Sequence, residues 1–488
     1  MKQKSNEKLL KLMCILNYAK SKDGIYTTLD YKGRKKSVLV NSREFSDYIT
    51  SLYFNKTKEF VLESDIKDCL KLVRYQYEMA HPTCDMYENR YAFDNGAIYI
   101  DIADDKSSYV KVDSNGYDII SCDNDEPLFI KDSLELPMIV SKGGESKNGL
   151  LTDLDEMLNL SEDDLFILKI WLITAMNPQI NVPIIYLLGN AGTGKSTIQD
   201  IIAGLIDPSS RGLVNWDSCS MKDIVISLGH STLVNFDNVS KITAQKSDLL
   251  CQTVTGGNTS YRALYTNGDE VCFDIRTRVT ISSVKKCIRH SDLAQRTLYM
   301  STLDIKDKSR ICENSLKDLF EERRGRVFSE MLEVLSLALA EYPDWKEKHH
   351  SYMRLAEFDL FAGLVASIID EDNGYARYRS IMKNKQFNQV FIDTDAYEFM
   401  KSMLDVIKDN GNDKGYFKGE MSKLYELIKE WIEEAPECDF DIDSIITYDR
   451  FSKLMHAQES RFKEFGYQIE FWKTKKNYAG ITIEEIEE

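Results

Sequence analysis

The run Gly189-Asn-Ala-Gly-Thr-Gly-Lys195-Ser196 constrains this chain more than any other feature. Its G-x-x-x-x-G-K-[ST] spacing follows from the shape of a polyphosphate. Glycines let successive backbone N–H groups wrap a β-phosphate, and the helix that follows aims its positive end at the same anion. Lys195 then reaches the β- and γ-phosphates, and the Ser196 hydroxyl takes a Mg²⁺ ion. The flanks suit this reading. Val182 to Leu188 is an apolar run that predicts a buried parallel strand, and Thr197 to Leu205 has helical spacing. The expected fold class is therefore α/β. The nucleotide-contact candidates are Gly189, Asn190, Ala191, Gly192, Thr193, Gly194, Lys195, Ser196 and Thr197, with ATP and Mg²⁺ as ligands.

Two further β-type runs belong with this loop. Leu233-Val-Asn-Phe236 ends at Asp237, which is placed to orient Mg²⁺ and its water. The next residue is Asn238, where many such enzymes carry a second acid. Arg278-Val-Thr-Ile281 ends at Ser282 and Ser283. If that strand lies between the other two, a polar tip there senses the γ-phosphate. Asp292-Leu-Ala-Gln-Arg296 follows, and Arg296 is a candidate for a neighbouring subunit's γ-phosphate. Between the acid strand and the sensor strand lies Thr255 to Phe273. Its Asn267-Gly268 pair predicts a two-residue hairpin turn.

Composition narrows the function classes. A length of 488 residues predicts about three domains. With 43% hydrophobic and 29% charged residues the chain can bury real cores, which argues against disorder. The net charge of −17 excludes a generally basic nucleic-acid coat protein but not a local basic surface. The ten cysteines contain no CxxC pair, so a zinc finger is not expected. The longest apolar run, Phe166 to Met176, is too short to span a bilayer, and no signal core follows the basic N-terminus. A soluble, cytoplasmic protein is expected, with no membrane partner.

Along the chain, Ser64 to Met79 predicts a helix capped by Ser64. Tyr91 to Ile102 predicts a hairpin turning at Asn95-Gly96. Residues 143–149 are a candidate boundary loop. Residues 151–180 and 306–400 read as largely helical, with Ser161 and Asp164 as a capping pair and Leu316 to Leu339 as the clearest helix. Residues 409–414 read as a linker. The last segment predicts helix (Gly419–Glu433), helix (Tyr448–Phe465), strand (Tyr467–Trp472), turn and strand (Ala479–Glu484), the order of a winged helix. Lys473, Lys475 and Lys476 stand among aromatics at its wing and are DNA-contact candidates. Arg354 is a candidate second nucleotide sensor. Asp101, Asp104 and Asp105 follow a strand, but without a matching third ligand they do not make a primase metal site.

Taken together, the phosphate loop at 189–196, acid strand at 233–238, hairpin at 255–275, sensor strand at 278–283 and Arg296 resemble a superfamily 3 helicase. The closer resemblance is to the primase-helicase-like ATPases of phages, phage satellites and other mobile elements, related to the poxvirus-type NTPases. It rests on FDNVS around Asp237, on TGGNTSYRALYTNGDEVCF with DLAQRTLYM, and on RYAFDNGAIYIDI at 90–102. It covers residues 180–300 firmly and 90–488 loosely. The resemblance implies an AAA+ core with a parallel sheet (residues 151–305), preceded by an α+β domain (1–150) and followed by a helical region (306–410) and a winged helix (411–488). It implies a homo-hexameric ring and ATP-driven translocation on DNA, with a primase or replication protein as candidate partner. Its roles fall on Lys195, Ser196, Asp237, Ser282 or Ser283, and Arg296, with Asn238 beside the acid. Arg262, Asn267 and Gly268 are the hairpin's DNA-contact candidates. Three positions depart from the common pattern: Ser282-Ser283 in place of Asn, Asn238 in place of an acid, and Asn267-Gly268-Asp269 in place of a basic hairpin tip. Two other functions are weighed against the helicase. One is an NTPase switch or scaffold that does not unwind; the other is a DNA-binding initiator with weak motor activity.

Overall fold

The computed structural model describes the chain apart from residues 1, 22–23, 32–33, 81–86, 88, 122–128, 131, 133, 142–149, 263–269, 289, 305–311, 352, 391–415, 435–447, 458–466, 474–478 and 486–488. The boundary loop expected at 143–149 and the linker at 409–414 therefore lie outside the described residues, as do Asn267, Gly268, Lys475 and Lys476. Two compact units result: residues 1–287 with 296–385, and residues 288–295 with 386–488.

The first unit begins with helix α1 (Lys2–Met13), strands β1 (Tyr18–Ser21), β2 (Gly24–Tyr31) and β3 (Arg34–Leu39), and helices α2 (Arg43–Thr57) and α3 (Glu63–Ala80). The three strands form an antiparallel sheet, and Leu9, Ile25, Val38, Phe45, Ile49 and Val73 share one core beside it. In α3, Ile66, Cys69, Leu70 and Val73 are buried, as the helical spacing predicts. Ser64 does not cap it. The Asp65 and Ile66 amides already donate to the Leu62 carbonyl, so the helix starts earlier and Ser64 lies within its first turn.

Strands β4 (Tyr91–Asp94), β5 (Ala97–Asp101), β6 (Tyr109–Asp113) and β7 (Gly116–Ile120) form a four-stranded antiparallel meander. Its first turn is Asn95-Gly96, with φ of 46° and 80° and Asp94 paired to Ala97. Both residues stand in the left-handed region that the tight hairpin demands.

The part built on a parallel sheet follows. Helix α4 (Glu162–Ala175) is buried at every position from Asp164 to Ala175, as its all-round apolar sequence requires. Ser161 caps it by accepting from the Asp164 amide at 3.2 Å. The Asp164 carboxylate does not return to the cap. It accepts instead from the Ser301 amide and from Lys385. The elements then run β8 (Ile184–Leu188), α5 (Lys195–Ile206), β9 (Val214–Asn215), α6 (Met221–Gly229), β10 (Leu233–Asp237), α7 (Ala244–Thr255), β11 (Asn258–Arg262), β12 (Glu270–Asp274), β13 (Arg278–Ser283), α8 (Ser291–Ala294) and β14 (Thr297–Ser301). Five of these strands make one wholly parallel sheet in the order β14-β8-β13-β10-β9. Helices α9 (Glu313–Lys348), α10 (Ala356–Ile369) and α11 (Gly374–Val390) follow.

The meander is fastened to this sheet through Arg90, whose side chain is fully buried. Its guanidinium donates to Asp207 Oδ1 at 2.8 Å and to the carbonyls of Asp101 and Pro208, each at 3.1 Å. The other Asp207 oxygen accepts from the Thr232 and Leu233 amides at the start of β10. A buried charge pair needs such complete satisfaction of its remaining donors and acceptors.

Strands β11 and β12 form a separate antiparallel hairpin, and its expected turn at Asn267-Gly268 lies outside the described residues. Arg262 pairs with Glu270 and Asn258 with Asp274. The register is set at the base. The Ile275 amide donates to the Gly257 carbonyl at 3.2 Å, and Ile275 is fully buried. Moving the pairing would pull that side chain from the core.

In the second unit β15 (Phe417–Glu420), α12 (Met421–Glu434), α13 (Tyr448–Ala457), β16 (Tyr467–Lys473) and β17 (Ala479–Glu485) close a small core. The sheet is antiparallel in the order β15-β17-β16. The helix expected from Gly419 begins at Met421 instead, because Gly419 is held in β15 opposite Ile481. Met421, Leu424 and Ile428 supply one buried helical stripe and Ile469, Ile481 and Ile483 the facing strands.

Candidate nucleotide site

The strand order brings the sequence motifs together. Strand β13 lies between β8 and β10, so the ends of all three meet at one edge of the sheet. The loop 189–194 leaves β8 there and turns into α5, with Gly194 at φ 87° as the helix N-cap residue. Gly189 is required by crowding: a Cβ on it would lie 1.9 Å from Thr302 Oγ1. The Gly189 amide meets the Ser283 carbonyl at 3.4 Å, tying the loop to the tip of β13.

The chemistry gathers around Asp237. The Ser196 hydroxyl lies 3.3 Å from both of its carboxylate oxygens. Ser282 donates its hydroxyl to the same carboxylate, and Asn238 Nδ2 donates at 3.1 Å. Ser282 Oγ in turn accepts from the Asn238 amide at 3.1 Å. Asn238 itself is exposed and stands at φ 52°, a conformation that asparagine tolerates better than glutamate. The backbone thus accounts for an amide at this place. Lys195 is 6% exposed and folds back onto the Gly189 and Asn190 carbonyls, at 2.7 Å each. Burial lowers its pKa below the ordinary lysine value, against the opposing pull of Asp237.

Strand alternation separates the two serines. Ser282 shares a face with Thr280, whose hydroxyl bonds Gln199 of α5 at 2.8 Å and Asn235 at 2.6 Å. Ser283 points to the other face. There its hydroxyl meets Tyr186 Oη at 2.9 Å and the Lys285 carbonyl. Both serines are fully buried, but only Ser282 touches the acid.

Arg296 stands at the far end of the sheet. The Ile184 amide donates to its carbonyl at 2.9 Å, and Thr297 pairs with Ile184 at the start of β8. That leaves about 17 Å along the strand to Gly189, at roughly 3.3 Å per residue. Arg296 is 9% exposed and cannot reach the phosphate loop of its own chain. Of the other candidates, Arg262 lies on β11, Lys473 is exposed at the end of β16, and Arg354 is exposed ahead of α10. Asp101 and Asp104 accept backbone amides within their own turn.

Several supporting residues gave no signal in the sequence. Asn159 donates to the Thr193 carbonyl at 3.0 Å and to that of Leu303 at 2.6 Å. Thr302 bonds Thr193 Oγ1 at 2.6 Å, and Asn190 donates to Asp304 at 3.1 Å. The segment after β14 thus clasps the phosphate loop, a contact between residues more than a hundred positions apart. A cavity of 590 Å³ lined by Asp200, Gly204, Arg211, Val234 and Phe320 meets the candidate nucleotide residues only at Thr197.

The donor set fits the ligands the loop implies. A hydroxyl and one carboxylate are hard oxygen donors, and Mg²⁺ is commonly held by one or two carboxylates with water and substrate phosphate completing its shell. Among the described residues no cluster of three acids, histidines or cysteines competes for a metal. No helix among them is long and apolar enough to cross a membrane.

No curated protein matches the chain. Among solved structures, an apo form of the NrS-1 C terminal region overlays with a TM-score of 0.43 and 13% identity, covering 98% of this chain and 99% of that one. A structure described as SCCmec type IV Cch, active helicase, overlays with a TM-score of 0.46 and 12% identity, covering 94% and 90%. The stretch that carries the site, residues 151–379, matches the family model for the actinomycete integrative conjugative element replication protein.

Proposed function

We propose that this chain is a ring-forming AAA+ ATPase of the superfamily 3 helicase type that replicates a mobile element. It hydrolyses ATP with Mg²⁺ between subunits and translocates on DNA. One observation carries the reading: Ser196, Asp237 and Ser282 converge at the end of three adjacent parallel strands, with Lys195 at the same loop. A phosphate chain wrapped by the loop would draw the Lys195 ammonium from the Gly189 and Asn190 carbonyls onto its β- and γ-oxygens. Mg²⁺ would be held by Ser196 and Asp237, and when bound it offsets charge on the transferring phosphate. Ser282 keeps the carboxylate aimed. Asn238 offers an amide that can orient water but cannot take its proton. The position of Arg296, out of reach of its own loop, supports a role in a neighbour's site, and the match to a replication protein family supports the setting.

The β15-α12-α13-β16-β17 order, with β15 pairing β17, supports a winged helix that presents Lys473, Lys475 and Lys476 to DNA. The hairpin of β11 and β12 is the candidate channel element, with contacts from Arg262 and the residues 267–268. The second reading is an NTPase switch that does not unwind, favoured by the missing acid at Asn238.

The deciding experiment is ATP turnover by the wild type and Lys195→Ala, with and without single-stranded DNA, at two salt concentrations. Stimulation by DNA that is absent from the variant supports the motor. Turnover indifferent to DNA, with no DNA retained at low salt, selects the switch. Mixing Arg296→Ala with Lys195→Ala subunits then tests the shared site: a mixed ring recovers some activity only if the two residues act from different subunits.

A further inference from the structure

Strand β14 ends the parallel sheet, so every second residue of it turns its amide and carbonyl away from β8. The β8 side is marked by the Arg296 carbonyl, which accepts from the Ile184 amide, and by the Thr302 amide, which donates to the Leu188 carbonyl at 2.9 Å. Tyr299 and Ser301 therefore point their backbone groups outward. Such groups need other partners once they leave water. Here two side chains supply them. Lys385 of α11 donates to the Tyr299 carbonyl at 2.6 Å, and Asp164 of α4 accepts from the Ser301 amide at 3.1 Å. Lys385 also donates to the other Asp164 oxygen, and both side chains are only 11% exposed. A lysine so buried is uncommon, and it needs a carboxylate and further acceptors around it.

The next residue carries this tie to the phosphate loop. Thr302 meets the Thr193 hydroxyl at 2.6 Å and forms an antiparallel bridge with Leu160. Asn159, beside it, holds the carbonyls of Thr193 and Leu303. Ser161 then caps α4, whose third residue is Asp164. The loop, the end of β14 and the start of α4 thus form one hydrogen-bonded girdle, and Lys385 is the cation that closes it. Arg379, on the same helix as Lys385, pairs instead with Asp359 of α10 at 3.0 Å.

We propose that Lys385 is a positioning residue for the nucleotide. Paired with Asp164, it fixes the outward edge of β14, keeps Thr302 against the phosphate loop and so sets nucleotide affinity through that loop. The proposal rests on the reading of this chain as an ATPase.

The experiment measures, on the full chain, the Kd of a fluorescent ATP analogue with Mg²⁺, KM and kcat for ATP, urea midpoints, and hydrogen exchange of the nucleotide-free protein. The variants are Lys385→Met, Asp164→Asn, the two combined, and Arg379→Met. Lys385→Met strands the Asp164 carboxylate in the interior. Its Kd and KM should rise about tenfold, its kcat should stay within about threefold, and the amides of 187–196 and 300–303 should exchange faster. Asp164→Asn keeps an acceptor for Ser301 and should raise Kd about threefold. The double variant should bind no more weakly than Lys385→Met alone, because the two residues act as a pair. Arg379→Met should lower the urea midpoint while Kd and loop exchange stay as in the wild type. If Lys385→Met does not fold, Asp164→Asn and the double variant carry the test. Wild-type Kd in the folded variants of this pair overturns the proposal and leaves the ATPase reading standing. So does a double-variant loss equal to the product of the two single losses, or an equal rise of Kd in Arg379→Met, since the effect is then not specific to the pair. A wild type that binds no nucleotide sinks the ATPase reading itself.

Discussion

Ser282 and Ser283 are adjacent and equally buried, yet only Ser282 reaches Asp237. The pleat sends the Ser283 hydroxyl to Tyr186 on the opposite face. Ser282→Ala should therefore lower ATP turnover by about tenfold or more, the order lost with one preorganised hydrogen bond, with little change in nucleotide affinity. Ser283→Ala should leave turnover within a few-fold and cost about 1–3 kcal/mol of stability, because the buried Tyr186 hydroxyl loses a partner. Steady-state kinetics and urea unfolding of both variants check this.

Gly189 is set by Thr302 rather than by its dihedral angles. Gly189→Ala should cost about 1–3 kcal/mol, the usual range for overpacking, and should weaken nucleotide binding. Adding Thr302→Gly removes the hydroxyl that clashes and should recover part of the loss. A double-mutant cycle in urea measures the coupling; strictly additive effects would contradict the crowding argument.

Asn238 holds a left-handed backbone. Asn238→Gly should be neutral to within about 0.5 kcal/mol, whereas Asn238→Val should cost about 1–2 kcal/mol, the penalty for a bulky residue in that region. Restoring the common acid with Asn238→Glu should not speed hydrolysis. Faster turnover in that variant would mean that only the residue type, not the backbone, limits the site.

Arg90 and Asp207 form the buried link between the meander and the parallel sheet. Arg90→Ala leaves the Asp207 carboxylate in the interior and should cost about 3–5 kcal/mol. The loss should appear in thermal unfolding of the parallel-sheet part as well as of the meander. Unfolding of the meander alone would show that the two are not coupled.

Glu330 accepts the Leu151 amide at 2.7 Å, and its other oxygen is buried with no hydrogen-bond partner among the described residues. Burial raises its pKa above the ordinary glutamate value. The folded state then binds more protons than the unfolded state just above that ordinary value. Stability from this group is present at lower pH and falls as pH rises through the folded pKa. Glu330→Gln keeps an acceptor for Leu151 and should flatten this dependence, leaving the variant relatively more stable at neutral pH. Urea midpoints measured from pH 4 to pH 8 report the difference.

The amino-acid sequence by itself determined the local geometry of the site. The glycine spacing, the apolar run before it and the helical run after it specify a strand, a loop and a helix, because each depends on neighbours within a few residues. Asp237 and Ser282 were legible for the same reason: each ends a short β-type run. The tertiary structure alone decided which groups meet. Whether the β13 run lies between the other two depends on pairing across dozens of residues, and that order is what brings Ser282 to Asp237. The clasp of Asn159 and Thr302 on the phosphate loop has no local signature. The helix expected from Gly419 starts at Met421 because pairing with Ile481 holds Gly419 in β15. Periodicity and turn chemistry act over a few residues, whereas burial and strand pairing act over the whole unit, and where the two compete the larger buried area prevails.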